Sequence, residues 1–98
     1  MSYSLLVRPE AQADLAETQE WYEELTPGLG DQFLEAVDEA VVSITRNPLA
    51  FSLIRGVVRR ALTKRFPYGV LYLVDGNTVV VLALLHQARD PELWASRA

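Results

Sequence analysis

Four basic side chains crowd together in the second half of the sequence: Arg59, Arg60, Lys64 and Arg65. Guanidinium groups donate paired hydrogen bonds to planar anions, so this cluster suits phosphates or the carboxylates of an acidic protein segment. Alternation along a β-strand predicts that Arg59 shares one face with Arg65, while Arg60 and Lys64 share the other. The alternative is an edge strand that carries charge only to resist aggregation. We favour the binding surface.

The only histidine, His86, ends a strongly apolar run and is followed by Gln87, Arg89 and Asp90. A histidine beside arginine and aspartate can act as a general base. A serine hydrolase would also need a Gly-x-Ser-x-Gly turn, which the sequence lacks. We therefore predict that the His86 ring is structural and hydrogen-bonds the turn that follows it.

Aromatic residues supply candidate core anchors and candidate contact groups: Trp21, Tyr22, Tyr68, Tyr72 and Trp94. Tyr68 follows a proline, and Trp94 stands four residues before the end of the sequence. An aromatic side chain in such a place can bury itself on a partner instead of in the core. Tyr68 and Trp94 therefore join the candidate binding residues.

Metal and cofactor chemistry is not expected. The sequence has no cysteine and one histidine, which excludes thiolate sites and histidine clusters. Acidic pairs such as Glu23-Glu24 and Asp38-Glu39 fall on outward faces of predicted helices, without a glycine-rich ligand loop. We predict no metal and no cofactor. The absence of cysteine also fits a reducing cytoplasm.

Charge is divided unevenly along the 98 residues, which are enough for one domain, 1–98. Residues 1–45 contain one basic and ten acidic residues, whereas residues 46–98 contain eight basic and three acidic residues. The net charge of −4 therefore hides a bipolar molecule. Such asymmetry is typical of a protein that binds charged partners.

Two amphipathic helices are predicted to position these groups, over 9–25 and 29–46. In the first, apolar residues including Tyr22 and Leu25 recur every three or four positions and define the inward face. Proline and glycine at 27–28 separate the helices, and the proline of Asn47-Pro48 ends the second. The short break predicts an antiparallel helical hairpin.

Strands are predicted at 3–7, 57–63, 66–74 and 78–86, with a loop at 49–56. A turn at 75–77 splits the apolar stretch between 66 and 88, which favours a hairpin over a membrane-spanning helix. The last strand is apolar at consecutive positions, so we expect sheet on both sides of it and cover on both faces. A short helical turn should begin at Asp90. The predicted fold class is α+β, in the order β-α-α-β-β-β, with a mostly antiparallel four-stranded sheet.

In this order and spacing the sequence resembles the RelE/ParE toxin superfamily of type II toxin–antitoxin systems, whose members are often described as plasmid-stabilisation proteins. The resemblance runs from about Ser4 to Trp94. It is carried by residues 13–15, 21–24, 27–30, 33–34, 44–48, 58–62, 66–72 and 86–91. The fold that it implies is the same β-α-α-β-β-β arrangement.

The resemblance implies a cognate antitoxin whose C-terminal segment wraps the toxin. RelE-like members cut mRNA on the ribosome, whereas ParE-like members inhibit DNA gyrase. The sequence has Gly69 and Ala88 where the nucleases often have basic residues, and Trp94 where they have a terminal tyrosine. These departures favour a ParE-like inhibitor that is not an enzyme. An mRNA endonuclease and a non-toxic antitoxin-binding module are the alternatives.

The prediction is therefore a cytoplasmic toxin that binds protein partners, without a membrane and without sequence-specific DNA binding of its own. No catalytic residue is assigned. The candidates for contact with the antitoxin or the target are Arg59, Arg60, Lys64, Arg65, Tyr68, His86, Gln87, Arg89, Asp90 and Trp94.

Overall fold

The structure is a computed structural model that describes residues 3–89. Two helices and five strands follow one another along this part of the chain. In order they are β1 (Ser4–Val7), α1 (Pro9–Leu25), α2 (Leu29–Arg46), β2 (Leu53–Arg55), β3 (Val58–Leu62), β4 (Tyr68–Asp75) and β5 (Thr78–His86).

Both helices begin and end where the sequence predicts. Pro9 opens α1. Proline is tolerated at the first helical position because the N–H that it lacks would have no partner within the helix. The start of α2 is held by Glu23 of α1, whose carboxylate accepts the N–H of Gly28 at 2.9 Å and that of Gly30 at 3.0 Å. A negative charge at this point also complements the helix dipole. Neither helix in residues 3–89 is long and apolar enough to cross a membrane.

Gly30 allows the two helices to approach each other closely. A Cβ atom at this position would lie 2.8 Å from the Gln19 carbonyl oxygen, which is too close for any side chain. The helical hairpin is therefore tight at its turn, as the short break at 26–28 predicts.

The sheet has the strand order β1-β5-β4-β3-β2. β1 runs parallel to β5 and all other pairs are antiparallel, which confirms the mostly antiparallel prediction. The strand count differs, because β2 lies inside the segment 49–56 that was expected to be a loop and pairs with β3. Three residues are too few to show an alternating pattern, and the turn residues on either side dominate the sequence signal. The predicted turn from Asp90 lies outside the described residues.

Both faces of the sheet are buried along β5, as its uninterrupted apolar run predicts. Val79 and Val81 join the core beneath the helices, while Leu82 and Ala83 belong to a second cluster on the opposite face. Two neighbours share a face because a β-bulge occurs there: Tyr72 pairs with Val81, and the preceding residue of β4 pairs with Ala83, so the register shifts by one residue at Leu82.

The inward face of α1 is narrower than its apolar pattern predicts. Tyr22 is buried, but Leu25 is 58% exposed and Trp21 is 54% exposed. The predictions of Leu25 as inward and of Trp21 as a candidate core anchor are therefore wrong. α1 packs mainly against α2 and β5, so only a thin stripe of this helix is covered.

Candidate functional site

The adjacent arginines of β3 serve different faces of the sheet. Arg59 pairs with Tyr72, whose side chain lies in the core beneath the helices. One guanidinium nitrogen of Arg59, Nη1, donates to the carbonyl oxygens of Phe51 at 2.6 Å and Leu49 at 3.2 Å. Arg59 is therefore partly committed to holding the segment that follows α2, and it is the least available of the four clustered cations.

Tyr72 holds the same segment from below. Its hydroxyl donates to the carbonyl oxygen of Pro48 at 2.6 Å, and the tyrosine itself is fully buried. Burial raises the pKa of the Tyr72 hydroxyl above its ordinary value of 10.0, and the nearby Arg59 charge partly offsets this rise. Together the two side chains anchor the 48–51 segment to β3 and β4.

Arg60 lies on the other face, where Gly69 makes room for it. β3 places Arg60 opposite Leu71, which belongs to the second cluster. A Cβ atom at Gly69 would lie 2.9 Å from both Cγ and Cδ of Arg60. The methylene stem of Arg60 therefore crosses β4 in the space that a side chain at position 69 would need.

Lys64 and Arg65 lie beyond the end of β3, in the turn to β4. Thr63 is buried there, and its hydroxyl donates to Phe66 O at 2.9 Å while its N–H donates to Tyr68 O at 2.9 Å. Arg65 has φ = +68°, a left-handed conformation that costs energy for a residue with a Cβ atom. The tight turn leaves both cations exposed.

The face assignment of these two residues was wrong, because β3 ends at Leu62 and its alternation does not extend to them. Lys64 borders a small cavity of about 160 Å³ beside α2, together with Glu39 and Ser43. It therefore lies towards the helices, where Arg59 lies, and not on the face of Arg60.

Tyr68 and His86 meet where β4 and β5 are paired. They are register partners, and their ring centroids lie 5.2 Å apart in an edge-to-face arrangement. The His86 Nδ1 atom accepts the N–H of Ala88 at 2.9 Å, and the His86 carbonyl accepts the N–H of Arg89 at 2.9 Å. This is the structural histidine that the sequence predicts, bonded to the turn that follows.

The turn after β5 adjoins the turn before β4. The N–H of Gln87 donates to the carbonyl oxygen of Pro67 at 2.8 Å, and Gln87 and Arg89 are exposed. The two turns therefore present their side chains at one end of the sheet, where β4 begins and β5 ends. We call this end, with the cations Arg60, Lys64, Arg65 and Arg89, the basic end. Asp90 and Trp94 lie outside the described residues, and their roles stay predictions.

An aromatic cluster supports the basic end from the helix side. Tyr22 of α1 packs against Phe33, Phe66 and Tyr68 with ring centroids 5.0 to 6.2 Å apart. Burial raises the pKa of the Tyr22 hydroxyl, and the neighbouring Tyr68 raises it further. Aromatic pairs of this geometry are favourable contacts, so α1 packs against the strand ends that form the base of the basic end.

The arrangement is suited to binding. Residues 3–89 contain no group of three histidine, aspartate or glutamate side chains placed to hold a metal ion. Nδ1 of His86 is occupied by a backbone N–H, so only its Nε2 atom faces other groups. The space opened by Gly69 and the separate role of Arg59 have no sequence signal, since both depend on contacts that form only in the folded chain.

Comparison with known proteins identifies the family. A family model described as the ParE toxin of type II toxin–antitoxin system, parDE, matches residues 5–91. No curated protein matches the chain.

Two toxin–antitoxin systems are among the solved structures that are similar to the chain. The chromosomal ParDE toxin–antitoxin system from P. aeruginosa has a TM-score of 0.76 at 20% identity, covering 86% of this chain and 95% of that chain. The RelBE2 toxin–antitoxin complex from Mycobacterium tuberculosis has a TM-score of 0.62 at 25% identity, covering 88% and 99% respectively. The first likeness shows the α+β fold, and the family match extends over most of the sequence. The chain belongs to the ParE toxin family of type II toxin–antitoxin systems.

Proposed function

We propose that the chain is a cytoplasmic toxin, a single domain over 1–98, that inhibits DNA gyrase by binding to it. The observation that carries this choice over mRNA cleavage is the packing at position 69. An arginine there would place its Cβ atom 2.9 Å from Cγ and Cδ of Arg60, so Arg60 would have to move from the position it has in this sheet. RNA cleavage needs a base and an acid as well as cations, and only cations are well supplied at the basic end.

A cognate antitoxin is the second partner in this proposal. The RelBE2 neighbour is a toxin–antitoxin complex, and we infer the same kind of assembly here. The basic end offers exposed cations to an acidic antitoxin segment. β2 is the outer strand of the sheet and pairs with the start of β3, and exposed apolar side chains lie on it and next to it at Leu49, Leu53 and Val57. An extended segment that pairs with this edge would cover both.

The end of the chain completes the proposed target contact. Arg89 is exposed in a turn that is held by the His86 carbonyl, and anchored loops commonly carry binding residues. In this proposal Arg89 and Trp94 contribute to inhibition, while His86 holds the turn.

Two assays on the purified chain test the proposal. We expect inhibition of gyrase-catalysed DNA supercoiling and no cleavage of translated mRNA, with or without ribosomes. Codon-specific cuts at catalytic protein concentrations would show that the chain is an mRNA endonuclease. A folded chain that is inactive in both assays, yet binds its antitoxin, would be a non-toxic binding module.

A further inference from the structure

The outer face of α1 combines two exposed apolar side chains with three carboxylates. Trp21 and Leu25 are each more than half exposed. Glu17 lies four residues before Trp21 and Glu24 lies three residues after it, while Glu20 stands three and four residues from these two glutamates, and all three are exposed. We call these five residues the acidic face of α1.

Trp21 is held in place for contact. Its indole meets the ring of Tyr22 edge-to-face at 5.0 Å, and Tyr22 is buried against Phe33 and Phe66. An exposed tryptophan that is already oriented loses little freedom when a partner covers it. Tryptophan is also the side chain most enriched among residues that dominate interface energies. Trp21 is therefore the residue of the acidic face that is best suited to be buried by a partner.

The carboxylates of this face are not used within the part of the chain that the structure describes. Glu23, on the same helix, is committed to Gly28 and Gly30 at the start of α2. Within residues 3–89, the structure gives Glu17, Glu20 and Glu24 no hydrogen bond or ion pair. They place three negative charges beside the apolar pair, and such charge attracts a basic surface and repels an acidic one.

We propose that the acidic face of α1 docks onto a basic protein surface of the toxin's target, with Trp21 filling an apolar cleft on that surface. This inference rests on the proposed function, because an enzyme that handles DNA must present basic protein surfaces to the phosphates. The antitoxin is the wrong partner for this face. A segment acidic enough to fit the basic end would be repelled by these glutamates.

Two double variants test the apolar anchor. Trp21→Ser with Leu25→Ser should raise the concentration needed for half-inhibition of gyrase supercoiling at least about tenfold, as expected for the loss of a central anchor. The control pair is Leu6→Ser with Val42→Ser, which removes two equally exposed apolar side chains elsewhere. The concentration that the control variant needs for half-inhibition should stay within about twofold of the wild-type value. Circular dichroism and the thermal midpoint confirm that both variants are folded.

A second pair tests the charge. Glu20→Gln with Glu24→Gln should weaken inhibition several-fold at low salt and reduce its salt dependence, whereas Glu35→Gln with Asp38→Asn on α2 should change neither. Inhibition that is unchanged in the α1 variants would overturn the inference.

Growth arrest separates this inference from the proposed function. If wild type arrests growth but does not inhibit gyrase, the proposed target is wrong, and the inference stands only if Trp21→Ser with Leu25→Ser abolishes the arrest. Arrest by this variant at wild-type strength overturns the inference. A wild-type chain that neither arrests growth nor inhibits gyrase overturns both.

Discussion

At the residue scale, neighbouring side chains of one type have different roles. Arg59 donates to two carbonyl oxygens of the 48–51 segment, whereas Arg60 extends over Gly69 towards the basic end. A charge reversal at Arg60 should therefore weaken antitoxin binding and leave stability nearly unchanged. Arg59→Gln should lower the free energy of unfolding by about 1–3 kcal/mol, because two carbonyl oxygens, one of them in a partly buried hydrogen bond, lose a charged donor. Urea denaturation and binding titrations of Arg59→Gln and Arg60→Glu check this contrast. Equal effects of the two variants on stability would contradict it.

The buried tyrosines make stability depend on alkaline pH. The Tyr72 and Tyr22 hydroxyls have pKa values raised above 10.0 by burial, so the folded chain holds these protons more tightly than the unfolded chain. The free energy of unfolding that these two hydroxyls contribute is fully present below pH 10.0. It is lost as the pH rises from there through the pKa values of the folded chain. Tyr72→Phe should reduce this alkaline loss and cost about 1–2 kcal/mol at neutral pH, since the Pro48 carbonyl loses its donor. Unfolding curves at pH 7 and above pH 10 measure both effects, and an unaltered alkaline slope in Tyr72→Phe would contradict the first.

At the element scale, the turn between β3 and β4 exposes its cations at the cost of backbone strain. Arg65 adopts φ = +68°, which glycine reaches without a Cβ clash. Arg65→Gly should keep or raise stability by up to about 1 kcal/mol while weakening antitoxin binding. Lys64→Gly is the matched control, because it removes a charge from the same turn but leaves the strained left-handed backbone of Arg65 in place. If Arg65→Gly destabilises the fold more than Lys64→Gly does, the strain has been assigned wrongly.

The elements also show how far sequence reasoning reaches. Both helices and β5 were predicted at their observed bounds, because proline, glycine and the period of the apolar residues mark them locally. β2 was missed because its three residues acquire a strand conformation only by pairing with β3. The sequence also predicted the basic cluster. It did not predict that Arg59 donates to backbone carbonyls, for the same reason that β2 was missed. The carbonyl partners of Arg59 at 49 and 51 are brought near only by the fold.

At the scale of the whole molecule, opposite charges occupy different surfaces and suit different partners. The acidic face of α1 and the basic end of the sheet are joined by the aromatic row from Trp21 through Tyr22 and Tyr68 to His86. A bipolar surface of this kind steers each partner to its own side before contact, and salt screens that steering.

The salt dependence of association at the basic end should therefore be independent of the charges on the acidic face of α1. Raising the ionic strength from about 0.05 M to about 0.5 M should slow antitoxin association about tenfold or more, because the steering charges are exposed and the screening length shortens. Lys64→Gln with Arg65→Gln should flatten this salt dependence, since it neutralises the turn that meets an acidic segment. Glu20→Gln with Glu24→Gln should leave it in place, because those charges face away from that partner in our assignment. Stopped-flow association rates over a salt series measure both slopes. A flattened slope in the glutamate variant would mean that the antitoxin covers the acidic face of α1.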